Sequence, residues 1–280
     1  MPQKTTGDEF KAFSASGTAD SILKACEEYK AKIHAAEIAR KKGTRKAIVF
    51  LVITILLGVT FFFLITIPFC ILFLILTIRE FRLLPKVPGE PARKKLNMFM
   101  ELVNTFGEDI PKEAPCRVLI DLQGYLSHPA PQNGAHAQNA AKKYLHSWLT
   151  FSGRFHDGNR FRLRAFIRVK RREKQKRSYK KVRESAMEGI ALLLRVNAKT
   201  YTQSGKVLDA LKTGTALKPD FTVVRSSGEN GVLRLVARTQ PYERLQGRYT
   251  APLNDGEIKL NRNSLVLFFT SLYALLQNLR

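Results

Sequence analysis

From Ala47 to Ile78 the chain runs for 32 residues without a charged side chain, mostly Ile, Leu, Phe and Val. So long an apolar run leaves no face for water, which argues against a core helix of a soluble domain. It follows 46 mostly polar residues and far exceeds the ~7 to 15 apolar residues of a secretory signal. The run therefore reads as a transmembrane or intramembrane segment over 47–78. Its length is awkward for either simple crossing. One straight helix would measure about 48 Å against ~30 Å of hydrocarbon, while two full crossings would use about 40 residues. Gly58 and Pro68 interrupt it, and a bend in the low sixties would leave arms of ~16 residues, about 24 Å each. The expectation is a membrane hairpin or a kinked single span.

Charge on both sides bears on that choice. Arg40, Lys41, Lys42, Arg45 and Lys46 precede the run, and Arg79, Arg82, Lys86, Arg93, Lys94 and Lys95 follow it. A single span would export one of these clusters, against the positive-inside tendency, whereas a hairpin keeps both on one side. Either way the bulk of the protein is expected at the membrane on the cytoplasmic side. Only three cysteines occur, Cys26, Cys70 and Cys116, widely spaced, which fits a reducing compartment rather than a disulfide framework.

The rest of the chain divides by pattern. Residues 1–19 are rich in Gly, Ser, Thr and Lys without periodicity and read as a flexible arm. Residues 20–46 read as an amphipathic helix, capped by Asp20 and ending near Gly43. Ile22, Cys26, Tyr29, Ile33 and Ala36 form its narrow stripe, which invites a partner element or self-association. Pro85, Pro88, Gly89 and Pro91 make 79–91 a stiff linker.

Residues 92–280 read as a cytosolic α+β domain. A first amphipathic helix, Ala92 to Phe106, turns Leu96, Phe99, Met100, Val103 and Phe106 to one side. From Cys116 the period becomes alternating, giving strands around Val118 to Leu122, up to Phe155, from Arg160, from Tyr179 to Val196, and over Phe221 to Arg225 and Val232 to Arg238. A polar loop covers Ser127 to about Ala140, and His156, Asp157, Gly158 and Asn159 form a hairpin turn. Asn263 to Leu279 reads as a helix that could begin as a strand. The fold class is thus α+β: an N-terminal helix, a membrane hairpin or kinked span, then a mainly antiparallel β-rich domain with flanking helices.

Lys and Arg number 47 against 23 Asp and Glu, a formal +24, so the partners are expected to be anionic. Half of that excess lies in 160–183, which holds thirteen basic residues and one acid, Glu173. They are Arg160, Arg162, Arg164, Arg168, Lys170, Arg171, Arg172, Lys174, Lys176, Arg177, Lys180, Lys181 and Arg183. So many like charges cannot pack against one another, so the expected geometry is an extended basic hairpin that binds anions. Membrane lipids with anionic headgroups are one partner. An acidic protein surface in an assembly is another. Nucleic acid would use the same charges, but Tyr179 is the only aromatic near the tip, and single-strand readers offer several stacking platforms.

Catalytic motifs do not emerge. No GxGxxG, GxSxG, CxxC or HExxH pattern occurs, so neither a cofactor nor a metal is expected. His128 and His136 share a loop downstream of Asp121, at a spacing that matches no ligand pattern. Asp121 is expected to pair with an arginine, and His146 to lie on the sheet surface or in the core. The expected function is that of a membrane-anchored, non-enzymatic scaffold or assembly subunit. A membrane tether for nucleic acid is the alternative, and an oligomeric pore is a third reading that the charge-free run supports poorly.

Overall fold

The computed structural model describes residues 10–59, 66–84, 87–127, 141–175, 180–197, 222–229, 232–249, 259–260 and 262–277. They belong to two compact units, one of Met1–Lys11 with Glu27–Pro88, the other of Ala12–Cys26 with Gly89–Arg280. The fold is α+β, with four helices longer than a single turn among the described residues.

The second unit is built on an eight-stranded sheet in which every pairing is antiparallel. In chain order the strands are β1 (Ala12–Gly17), β2 (Cys116–Asp121), β3 (Lys142–Arg154), β4 (Arg160–Gln175), β5 (Lys180–Arg195), β6 (Thr222–Glu229), β7 (Val232–Arg238) and β8 (Tyr242–Tyr249). They lie in the order β1-β2-β3-β4-β5-β7-β6. The far edge of β5 is shared: β7 takes Gly189–Arg195 and β8 takes Lys180–Ala186.

Alternation decides which face is covered. On β4 the apolar residues Phe161, Leu163, Ala165, Ile167 and Val169 are buried, while Arg160, Arg162, Arg164, Arg168 and Lys170 are exposed. Helices α3 (Glu90–Phe106) and α4 (Arg262–Gln277) pack on the apolar face. Phe99 of α3 meets Phe151 edge-on at 5.3 Å, and Phe269 of α4 meets Phe106 at 4.9 Å and Phe161 at 6.5 Å. In α3, Leu96, Phe99, Val103 and Phe106 point inward at helical spacing, and Pro91 sits in the first turn, where no backbone N–H is needed. Buried Lys95 ties the helix to the end of β2 by donating to the carbonyls of Asp121 at 3.1 Å and Gln123 at 2.8 Å. The segment Leu265 to Phe269 forms helix from its start, because Leu265, Phe268, Phe269 and Leu272 then share one buried side.

Several expectations change. Residues 12–17 of the expected arm form β1, an edge strand anchored by buried Phe13 and paired with β2. One large residue among Ala, Ser and Gly carries too weak an alternation to reveal a strand. Neither did sequence pattern reveal β8, whose Tyr-Glu-Arg-Leu-Gln-Gly-Arg-Tyr run mixes polar and apolar positions. The Ser127–Ala140 loop lies outside the described residues from 128 onward, as do 176–179 at the tip of β4 and β5.

Helix α1 (Ala19–Val59), which belongs to the first unit from Glu27 onward, runs straight through Gly43 into the apolar run. Gly43 is a packing notch instead of a stop: a methyl group there would come within 2.5 Å of Leu84 Cδ2. Helix α2 (Thr66–Leu83) returns along α1, with Phe50 and Phe73 in ring contact at 6.0 Å. Moving back from Phe50 to Gly43 corresponds to moving forward from Phe73 to Leu84, so the helices are antiparallel. The two breakers explain where the run divides. Gly58 is next to last in α1, and Pro68 occupies the first turn of α2, where a missing N–H costs nothing. Among the described residues no helix is long and apolar enough to cross a membrane. On the N-terminal stripe of α1, Ile22, Cys26 and Ile33 are buried, while Tyr29 and Ala36 are half-buried.

Candidate anion-binding face and apolar helix pair

The sheet face opposite α3 and α4 is open, and its character follows from the strand register. Arg160 of β4 stands opposite Arg154 of β3 and Arg195 of β5. Lys170 faces Lys143, Arg172 faces Arg183, and Lys174 faces Lys181. Arg162 lies beside Ser152, which pairs in turn with Arg117 of β2, and Arg234 of β7 lies two strands away across Leu193. From Arg160 to Lys174 the cationic row of β4 extends about 48 Å at ~3.4 Å per residue. Like charges directly opposite are unfavourable in a sheet, and this face repeats that arrangement in row after row. Glu243 of β8 answers one of them, bonding Arg183 at 3.1 Å.

Apolar side chains are set among these cations. Leu119, Leu145 and Leu193 are each exposed on the open face. Phe166, which breaks the alternation of arginines, packs within the sheet. Its ring lies over Gly189 of the neighbouring strand, where a Cβ would meet Phe166 Cζ at 2.5 Å and the Ala237 carbonyl at 2.8 Å.

The expected site residues thus separate into groups. Arg160, Arg162, Arg164, Arg168, Lys170, Arg172, Lys174, Lys181 and Arg183 are exposed together on the open face. Lys176 and Arg177 lie outside the described residues, and Lys180 is described only as the first backbone position of β5. Arg171 corrects the expectation. An odd-numbered position on β4 turns it to the covered side, where it is buried and bonds Glu184 at 2.8 Å and Glu173 at 2.5 Å. Tyr125, fully buried on a short 3₁₀ turn (Tyr125–Ser127), donates its hydroxyl to the same Glu184 carboxylate. Burial, reinforced by Glu184 beside it, pushes the Tyr125 phenol well above its usual range, so it remains a protonated donor.

Arg117, Lys143, Arg154, Arg195 and Arg234 complete the face although charge density alone did not single them out. None of them lies in the dense basic run of 160–183, and the alternation of the strand, such as Leu233 and Leu235 around Arg234, carries the signal.

Other anticipated groups have structural roles. His146 is in the core with Nε2 at 3.3 Å from Asp121 Oδ2, so a histidine is one partner of Asp121. His128 and His136 lie outside the described residues. Buried Glu188 accepts hydrogen bonds from the Tyr242 hydroxyl at 2.5 Å, the Lys259 N–H at 2.6 Å and the Leu260 N–H, tying 259–260 to the sheet. Burial pushes the Cys116 thiol up, away from reactivity. Among the described residues no group of three or more His, Cys, Asp or Glu comes together to hold a metal.

The second surface is the paired α1 and α2. Ala47 and Thr77 are buried, and Thr54 is half-buried, while large apolar side chains point outward. Six on α1 (Ile48, Val49, Leu51, Val52, Ile55 and Leu56) and seven on α2 (Phe69, Ile71, Leu72, Leu74, Ile75, Ile78 and Phe81) are exposed, Leu56 by 61%. The threonine hydroxyls are satisfied within their own helices, Thr54 on the Phe50 carbonyl and Thr77 on that of Phe73, both at 2.8 Å. Small or self-satisfied residues thus lie inside the pair and large apolar ones outside.

No protein-family model, curated protein or solved structure matches this chain.

Proposed function

We propose that the protein is a membrane-anchored, non-enzymatic scaffold or assembly subunit. In this reading α1 and α2 embed as a hairpin in a bilayer, and the open face of the sheet docks on anionic lipid headgroups. The observation that carries the reading is the outward apolar surface of α1 and α2. Monomeric soluble proteins rarely expose contiguous apolar patches beyond a few hundred Å². Fully burying one such side chain is worth about 1.5–3 kcal/mol, so returning these half-exposed ones to an apolar medium gains on the order of 10 kcal/mol. Headgroup contacts add ~1 kcal/mol per basic residue that reaches the surface. The helices therefore anchor, and the cationic face orients the domain and selects the lipid.

Lipid is favoured over nucleic acid by the residues between the cations. Leu119, Leu145 and Leu193 suit the headgroup boundary but offer no stacking, and the Phe166 ring is committed to Gly189. Basic residues at both outer ends of the hairpin support a reading in which the bulk of the protein lies on the cytoplasmic side.

Flotation of full-length protein with vesicles tests the reading. Retention on neutral vesicles through a high-salt wash is expected, with stronger binding as anionic lipid is added. A protein that stays in the aqueous fraction without detergent overturns the anchor. Equal binding to neutral and anionic vesicles would leave the cationic face to an acidic protein partner.

A further inference from the structure

We infer that α1 and α2 enter only one leaflet and turn back near the bilayer midplane, forming a wedge of protein in that leaflet. The inference rests on the embedded reading above and concerns how deep the pair goes and what this does to the membrane. Three observations meet in it.

The first is length. Charge-free helix covers Ala47 to Val59 in α1 and Thr66 to Ile78 in α2, 13 residues in each arm. At ~1.5 Å per residue each arm is about 20 Å long, well past the ~15 Å of one leaflet's hydrocarbon when upright and well short of the full ~30 Å. Even half of the entire 32-residue run gives only about 24 Å, and any tilt shortens the reach further. A tilt of about 40°, at the upper end of the common range, puts the far ends of these 13-residue arms close to the midplane.

The second is the position of the charges. Because Gly43 packs against Leu84, Arg45 and Lys46 of α1 lie at the same end of the pair as Arg79 and Arg82 of α2. The pair has one cationic end and one apolar end. An element that crosses needs a polar end on each side, and the stretch between Val59 and Thr66 is Thr-Phe-Phe-Phe-Leu-Ile, with no charge to hold it in the far headgroups.

The third is the seam. Ala47, Thr54 and Thr77 let two helices run side by side, and both threonine hydroxyls are satisfied within their own helices, so among the described residues from Ala47 to Ile78 no unsatisfied hydroxyl needs further protein to shield it from acyl chains. The acyl chains of the entered leaflet are the committed occupant of the exposed Ile, Leu, Val and Phe side chains.

Two helices, each ~10 Å across with its side chains, then add area to one leaflet and none to the other. Such asymmetry is relieved where the bilayer already curves toward the side of entry. The protein is expected to collect on strongly curved membrane and to favour its formation.

The test uses full-length Cys70→Ser protein, in which Cys26 and Cys116 are buried, carrying one reporter cysteine at Val49, Leu56 or Thr66. Labels at Leu56→Cys and Thr66→Cys should be quenched best by lipids brominated at the ends of their acyl chains, and Val49→Cys by lipids brominated near the headgroup. Thr66→Cys should resist an impermeant maleimide sealed inside the vesicle. Reaction of Thr66→Cys with that internal reagent would show a crossing hairpin and overturn the inference while leaving the anchor intact. Reaction with external reagent, or failure to float, would remove the embedded reading itself. Small sonicated vesicles should bind the protein several-fold more tightly per lipid than large extruded ones of the same composition. Equal binding would overturn the wedge.

Discussion

The helix pair and the sheet face are both surfaces that a soluble monomer would avoid, for opposite reasons. The pair exposes Leu56, Ile75 and their neighbours, whose contact with water is costly. The face sets Arg154, Arg160 and Arg195 in one row, whose contact with each other is costly. The first cost is relieved by removing water and is insensitive to salt. The second is relieved by bringing anions and fades as salt screens it. On the proposed reading one molecule holds a strong, non-selective contact and a weaker, selective one, which should separate cleanly in experiment.

The largest effect is expected from charging the apolar pair. Leu56→Asp with Ile75→Asp puts two carboxylates on the outward surface, each costing about 2.5–3.5 kcal/mol at the centre of a membrane helix. Flotation on neutral vesicles should then fall by some four orders of magnitude, on the order of 5–7 kcal/mol. Retained binding would break the comparison at its first term.

Next in size is Arg171→Met. Because Arg171 serves Glu184 and Glu173 on the covered side, its loss leaves buried carboxylate without a cation and should destabilise the β-domain by about 3–5 kcal/mol. The Tyr125 hydroxyl alone would then answer Glu184. Replacing Glu184 with Leu in the same variant should restore much of the loss, and thermal unfolding reads both outcomes. An Arg171 variant that unfolds like the parent but binds anionic vesicles less well would return this residue to the open face.

Arg171 also shows where sequence pattern stops being informative. Its neighbours Lys170 and Arg172 are exposed cations, and nothing in a run of basic residues distinguishes the one that faces inward. The alternation did carry that information, since Phe161, Leu163, Ala165, Ile167 and Val169 assign the odd positions of β4 to the core. Glu184 and Tyr125, its partners, lie 13 and 46 residues away, and only the fold brings them together. Strands β2 to β5, the turn at Gly158 and α3 were legible because period and turn chemistry agree there. β1 and β8 were not, because each depends on a neighbouring strand for its backbone bonds more than on its own side chains. The division of the apolar run into one helix ending at Val59 and another beginning at Thr66 was legible from Gly58 and Pro68. Which residues line the seam between the arms was not, since nearly every position there is apolar.

A middle-sized effect tests selectivity. Arg162→Gln with Arg164→Gln should remove about 2 kcal/mol of headgroup attraction, roughly 30-fold, from binding to anionic vesicles at low salt. Binding to neutral vesicles should not change, because in the proposed reading the helix pair governs it. A loss on both vesicle types would mean that the two surfaces do not act separately.

The smallest effect sharpens the comparison most, because its two readouts have opposite signs. Arg160 faces Arg154 on one side and Arg195 on the other, and all three are exposed. Thr is a good strand former, so Arg160→Thr should relieve both oppositions without loss of local structure. Each opposed pair is worth about 0.2–1 kcal/mol, so the domain should become more stable by up to roughly 1 kcal/mol in low-salt buffer, with the gain shrinking as salt is raised. The same change should weaken binding to anionic vesicles by up to about 1 kcal/mol, near fivefold. Stability gained and anion affinity lost in one substitution is the signature of a face retained for its partner at a cost to the fold. If Arg160→Thr instead lowers the unfolding temperature, Arg160 contributes to packing or bonding within the sheet, and the row of three arginines loses its meaning as a binding surface.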